Sequence, residues 1–454
     1  MADPAVSVTP YWELTFDADG DPDAGKRDRL LAGVAQHHLR ELIVFAHGWN
    51  NDRSGATRLY DRFFAPIPQL APEAKIGYVG VVWPSMRFSD EPIPDFPRAV
   101  AAEMPRRPAL DKDTRHALFE TFPGRATVID QIARMLDQQP REESELEEFG
   151  RLVRMLVDIV PPGPQVLFAA DTLCEGVPQD APDMFSGSTA ALCEEFAEAL
   201  TLLETPRDAP NDTPAEAPDA PPGGAAFFSL PNPWDGAHEL LRQATYYAMK
   251  RRAGTVGERG LGRVIGQLAE RAPQLRVHLV GHSFGARLVS FALRGLPKGV
   301  RTVKSVTLLQ GAFSHYAFAS RLPHDARTGG VLEGQHNRID GPLVCCYSRH
   351  DSALSTMYPL ASRMAGDPRG IAPLDIGRML GAKWGAMGHD GVQAVPGTKS
   401  YKLAEALSAT LPASGCVNID TATVVRRGGP PAGAHSDIVH RELAQMVLAA
   451  GRIH

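Results

Sequence analysis

The chain has 454 residues, of which 43% are hydrophobic and 22% charged, with a formal net charge of −6. That length allows a large core or two to three modest domains, and that balance suits a soluble globular enzyme. The acidic balance gives no footing on nucleic acid or an anionic membrane, so neither is expected as a partner.

The opening MADPAVSVTPYWELTFDADG has no basic start followed by an apolar stretch. No apolar run is long enough to span a bilayer, so neither a signal peptide nor a membrane span is expected. The five cysteines are scattered, apart from the neighbours Cys345 and Cys346. They form neither a disulfide framework nor a zinc pattern, and a reducing, cytoplasmic location with no metal or cofactor is the expectation.

Residues 6 to 16 read as a strand, and the DADGDPD after it carries an Asp-Gly turn signal. Asp17, Asp19, Asp21 and Asp23 alternate as in a calcium loop, but Pro22 stands where that loop needs its bending glycine. A solvated acidic turn is expected instead. ELIVFAHGWN, 41 to 50, is a buried strand running into a polar, glycine-containing loop, with a helix near 54 to 65. KIGYVGVVWPS, 75 to 85, is a second apolar strand, stopped by Pro84.

The next strand of this kind begins only at 275, a gap far longer than one crossover helix needs. Three helical stripes fill it. Val128, Ile129, Ile132, Met135 and Leu136 share one face, and Leu146, Phe149, Val153, Leu156 and Val160 another. Leu192, Phe196, Leu200 and Leu203 form the third. The pattern predicts a mainly helical insertion over 85 to 234, between core segments 1 to 84 and 235 to 454. Within it, 205 to 224 is rich in proline and acid and poor in apolar groups, which predicts a mobile connector. In GERGLGRVIG three of the glycines, at 260, 262 and 266, approach a dinucleotide-binding spacing. The last is one residue late for a dinucleotide fingerprint, and no strand precedes it.

LRVHLVGHSFGARLVSFALRG, 275 to 295, is the most informative stretch. Val277, Leu279 and Val280 read as a buried strand, and Leu288, Val289, Ala292 and Leu293 recur at helical spacing. Between them Gly281 and Gly285 flank Ser283, the G-x-S-x-G pattern of a nucleophile elbow. Such a turn lifts the serine oxygen clear at the carboxyl end of a sheet and the amino end of a helix. Strands at 303 to 313, 341 to 354 and 415 to 425 and a helix at 436 to 450 complete the chain. The alternation predicts a mostly parallel central sheet flanked by helices.

A serine hydroxyl needs a base to take its proton and an anion to orient that base. In a parallel sheet both must come from loops at the carboxyl ends of strands. Asp351 in SRHDSAL meets that requirement as the acid, with Asp325 and Asp340 as reserves. His435 in GAHSDIVH, after the last strand, meets it as the base. His440, deeper in the expected last helix, and His389, before the last strand, fit less well, and Asp437 is expected to support the start of that helix. Two backbone N–H groups should face the developing oxyanion, one from Phe284 after the serine and one from Trp49, just past His47 and Gly48 in AHGWN.

Together these residues resemble the α/β-hydrolase superfamily, especially its serine esterases and lipases. The match covers roughly 41 to 84 and 235 to 454 and rests on AHGWN, GHSFG, RHD and GAHSD in the family order. WPS at 83 to 85 and LLQGAF at 308 to 313 also look like members of a poorly characterised branch of that superfamily. The resemblance implies an α/β-hydrolase fold. The long insertion departs from the family, many of whose members have a shorter cap or none, and leaves substrate choice open. Because it enters after Trp83 at the carboxyl end of a parallel strand, it is expected to cover the Ser283 site as a cap. The resemblance also implies Ser283 as nucleophile, His435 as general base, Asp351 as its orienter, and the Trp49 and Phe284 amides as the oxyanion hole. The implied activity is hydrolysis of a small-molecule carboxylic ester through an acyl-serine. Thioesterase, amidase or acyltransferase chemistry, or a non-catalytic binding protein of this fold, stands as the alternative.

Overall fold

The computed structural model describes residues 6–49, 51–86, 88, 110–158, 166–175, 177–178, 187–204, 232–351, 385–428 and 433–454. The expected connector at 205 to 224 lies outside them. The first apolar runs become β1 (Tyr11–Thr15), β2 (Glu41–Ala46) and β3 (Ile76–Val82). Between them lie α1 (Ala24–Gln36), α2 (Arg53–Phe64) and the single turn α3 (Ile67–Leu70). Asp23 and Asp52 cap α1 and α2, accepting from the Lys26 and Gly55 amides respectively. The carboxylate of Asp17 accepts from the Asp19 and Asp21 amides, so the acidic loop closes on itself as a turn.

The insertion contributes α4 (Lys112–Thr121), α5 (Ala126–Gln138), α6 (Glu143–Leu156), α7 (Val166–Ala169) and α8 (Thr189–Glu204). It is not purely helical. β4 (Thr172–Cys174) and β5 (Val177–Pro178) also lie in it, and β4 pairs antiparallel with β8 (Thr328–Gly330) from a loop of the carboxyl-terminal segment. These pieces are too short to show a period of two in sequence. Helix α9 (Pro233–Thr255) returns the chain, passes through a π turn at Val256–Leu261 and continues as α10 (Gly262–Arg271). That π turn is what the glycine-rich GERGL forms. A Cβ on Gly257 would stand 2.2 Å from the Leu288 carbonyl oxygen, so the glycine lets two helices touch.

β6 (Arg276–His282), α11 (Phe284–Gly295), β7 (Val303–Leu309), β9 (Pro342–Tyr347), β10 (Lys399–Lys402) and β11 (Gly415–Asp420) follow. The central sheet has eight strands in the order β1-β3-β2-β6-β7-β9-β11-β10. Every pairing described in it is parallel. All residues of β2 and β3 are buried, as strands covered on both faces must be. The faces alternate: Leu42, Val44 and Ala46 pack with α1, α10 and α11, while Ile43 and Phe45 pack with α2 and the carboxyl-terminal helix (Arg441–Gly451).

That alternation positions the site. From β2 the chain crosses to one face through α2, and from the adjacent β6 to the other face through α11. Where neighbouring strands send their helices to opposite faces, a crevice opens at their carboxyl ends. Ser283 stands there.

The insertion shares its apolar interior with the α11 face of the core. Phe149 and Phe196 are buried within it, and the Phe149 ring meets Trp234 edge-on at 5.7 Å. Phe149→Ala should therefore lower the unfolding free energy by about 3–5 kcal/mol, as emptying a packed aromatic site does. Urea denaturation measures this, and a loss within experimental error would refute the packing.

Candidate active site

Ser283 adopts φ 55° and ψ −119°, left-handed backbone that a serine takes only when its surroundings force it. Three hydrogen bonds impose it. The Ser283 amide donates to the Leu309 carbonyl at 3.1 Å, and its own carbonyl accepts from Ala286 at 3.1 Å and Ala312 at 3.3 Å. The flanking glycines allow the close approach. A Cβ on Gly285 would lie 1.9 Å from the Ala46 oxygen, and one on Gly281 would lie 2.3 Å from the Gly285 oxygen.

The Ser283 Oγ lies 2.9 Å from His435 Nε2, and His435 Nδ1 lies 2.7 Å from Asp351 Oδ2. A carboxylate only accepts, so Nδ1 carries the imidazole proton and Nε2 is left to accept from the serine hydroxyl. The Asp351 side chain is fully enclosed, while that of His435 is 15% exposed. The carboxyl group is thus enclosed, while the imidazole is partly open to solvent. Asp351 sits in a turn whose amide bonds the Ser348 carbonyl, and Ala434 donates to the His350 carbonyl at 2.9 Å, tying the two loops together.

The other carboxylates and imidazoles weighed in sequence have their own work. Asp325 accepts from the Arg327 amide and the Thr328 hydroxyl of its own loop. Asp340 pairs with Lys304 and Arg301 on the surface. His389 occupies a short turn after the β9 segment, its Nδ1 buried. Asp437 accepts from the Arg426 and Arg427 amides and pairs with His440 at 2.9 Å. The last helix begins only at Arg441, so Asp437 braces a loop rather than a helix start, and His440 is the cap rather than an interior residue.

The loop after β2 lies against the serine. A Cβ on Gly48 would stand 2.7 Å from the Ser283 Cβ. His47 anchors this loop. Its amide donates to the Tyr60 hydroxyl, its Nδ1–H donates to the Gly48 carbonyl at 2.8 Å, and its Nε2 accepts from the Trp83 amide at 3.4 Å. The Trp83 indole stacks on it and donates to its carbonyl at 2.9 Å. Burial pushes the His47 pKa down to about 4, so the ring stays neutral and keeps this pattern. Phe284 opens α11, where first-turn amides have no partner within the helix. The Trp49 ring rests edge-on against Tyr246 at 5.4 Å, and Tyr246 lies 4.6 Å from the Phe284 ring.

Sequence reasoning missed Tyr60 and Tyr246, ordinary residues at unremarked spacings, and met Trp83 and His282 only inside WPS and GHSFG, with no role given to either. It also missed Arg287, fully buried in α11, whose guanidinium binds Asp171 and the Phe168 and Ala170 carbonyls of the insertion. Lys250 joins Asp171 at 2.7 Å. Elbow helix and insertion are thereby fastened together. A pocket of about 430 Å³ opens nearby between Asn51, Trp83, Ser85 and Glu120, but Ser283 does not line it. Among the described residues no group of His, Cys, Asp or Glu is arranged to hold a metal ion, and no helix is long and apolar enough to cross a membrane.

Comparison with protein-family models, with curated proteins and with solved structures finds no match.

Gly48→Ala should push the Ser283 side chain aside by a sizeable fraction of an ångström, because the added methyl group would stand 2.7 Å from its Cβ. A crystal structure of the folded variant checks this, and an unmoved Ser283 would show that the loop does not hold it.

Proposed function

We propose that the protein is a serine hydrolase of the α/β-hydrolase type that cleaves carboxylic esters through an acyl-serine. The observation that carries the reading is the hydrogen-bonded chain Ser283–His435–Asp351 hung from a positive-φ serine at the sheet's switch point. In this reading Ser283 Oγ attacks the ester carbonyl carbon while His435 Nε2 takes its proton. The tetrahedral intermediate collapses as His435 returns that proton to the leaving alkoxide, leaving an acyl-Ser283. Water then repeats the sequence and frees the acid. Asp351 keeps the imidazole in its Nδ1–H tautomer and stabilises the imidazolium.

The oxyanion is assigned to the Phe284 and Trp49 amides. Support comes from Phe284 opening α11, where the positive end of the helix dipole lies, and from the Gly48 backbone pressed against the serine. An oxyanion donor of this kind contributes roughly two to three orders of magnitude in rate. Support for a cap comes from Phe88 at the start of the insertion, whose ring meets Trp49 edge-on at 6.1 Å; Tyr246 of α9, just past the insertion, packs on Phe284 and Trp49. Phe149 and Phe196, buried inside the insertion, do not serve as substrate walls in this reading.

A series of p-nitrophenyl esters of graded acyl length, with matched thioesters, tests the proposal. Turnover of short-chain oxygen esters with a defined chain-length optimum is expected. No turnover of any member by folded protein would overturn it.

A further inference from the structure

His282 immediately precedes Ser283 and is 2% exposed. Its ring is turned toward the base. Nε2 lies 2.8 Å from the His435 carbonyl oxygen, and the two rings are 5.1 Å apart. A carbonyl oxygen only accepts, so Nε2 holds the proton and Nδ1 is a bare acceptor. That Nδ1 is buried with no hydrogen-bond partner among the described residues. The ring therefore makes one bond and tolerates an orphaned atom to do so. Burial, with His435 and His47 alongside, holds its pKa near 3, so the ring stays neutral and the donor stays in place.

The bond acquires a purpose once the serine is acylated. An esterified Oγ has no proton to give, so the hydrogen bond from Ser283 to His435 is lost. His435 must nevertheless stay in place to take a proton from water as the water oxygen bonds the acyl carbon. It then passes that proton to Oγ as the carbon–Oγ bond breaks. Asp351 still holds the ring, but Asp351 belongs to the loop after β9. His282 is the residue covalently joined to the nucleophile, and its bond fixes the main chain of the base directly against β6.

Resting on the hydrolase reading of Ser283, we infer that His282 is a positioning residue. Its hydrogen bond to the His435 carbonyl keeps base and nucleophile in register through the acyl-enzyme stage.

Rapid-mixing kinetics of the full chain with p-nitrophenyl acetate separates acylation from deacylation. His282→Met fills the volume without a donor. His282→Gln places an amide N–H near the position of Nε2, whereas the donor of His282→Asn falls short of it. In the Met variant deacylation should fall about tenfold and acylation less than about threefold, the scale of one lost hydrogen bond, so that a burst grows. The Gln variant should recover most of the deacylation rate, and the Asn variant should stay near Met. Wild-type deacylation in the Met variant, or equal loss of both steps without rescue by Gln, would overturn the inference. If the Met variant does not fold, equal deacylation by Gln and Asn overturns it, and faster deacylation by Gln sustains it. Wild-type protein that forms no acyl-Ser283 would instead sink the hydrolase reading itself, and the inference with it.

Discussion

Ser283→Ala is expected to lower ester turnover by roughly four to six orders of magnitude, the loss seen when the nucleophile of such a unit is removed. The fold should survive. The side chain is small, Ser283 is held by its own backbone bonds to Leu309, Ala286 and Ala312, and alanine carries the same Cβ through the positive-φ turn. Unchanged circular dichroism and an unfolding midpoint near that of the wild type should therefore accompany the lost activity. Turnover well above a buffer control would show that another group performs the attack.

The second large effect concerns the pair behind the serine. His435→Ala should approach the loss of Ser283→Ala, because members of one proton-transfer unit are not additive. Asp351→Asn should cost somewhat less, on the order of ten-thousandfold, since an amide at the 2.7 Å position can donate to Nδ1 and so favour the wrong imidazole tautomer. His389→Ala and Asp325→Ala should leave turnover within about threefold of wild type, because among the described residues Asp325 bonds its own loop, His389 sits in a separate turn, and no described hydrogen bond joins either to Ser283 or His435. Steady-state kinetics on all four variants checks the ranking. A larger effect from His389 or Asp325 than from His435 or Asp351 would reassign the base or the acid.

The central strands were legible because a parallel strand buried on both faces needs a nearly continuous run of apolar residues, as in ELIVFA and IGYVGVV. Edge strand β10, KSYK, was not legible, because a short, mostly exposed edge carries no such run. The two-residue and three-residue strands tying the insertion to the core have no periodicity to read. The end of β11 at Asp420 and the late start of the last helix show why His435 stands in a loop longer than the apolar pattern suggests. At the site, Ser283, His435 and Asp351 could be singled out because chemistry requires those residue types at strand ends. His47 and Trp83 stood out only as parts of AHGWN and WPS, and the bonds that they and His282 make were not legible, since these depend on which backbone carbonyl or amide lies opposite, and that is set only by three-dimensional packing.

The most direct measurement is active-site labelling with a fluorophosphonate, followed by peptide mapping. The phosphorus is attacked by an activated serine oxygen and the fluoride leaves, so the adduct records both the nucleophile and its activation. The account predicts one phosphonate per chain, carried on the peptide containing Ser283, with labelling lost in Ser283→Ala and strongly slowed in His435→Ala. Folded protein that remains unlabelled, or that carries the adduct on a different residue, would contradict it.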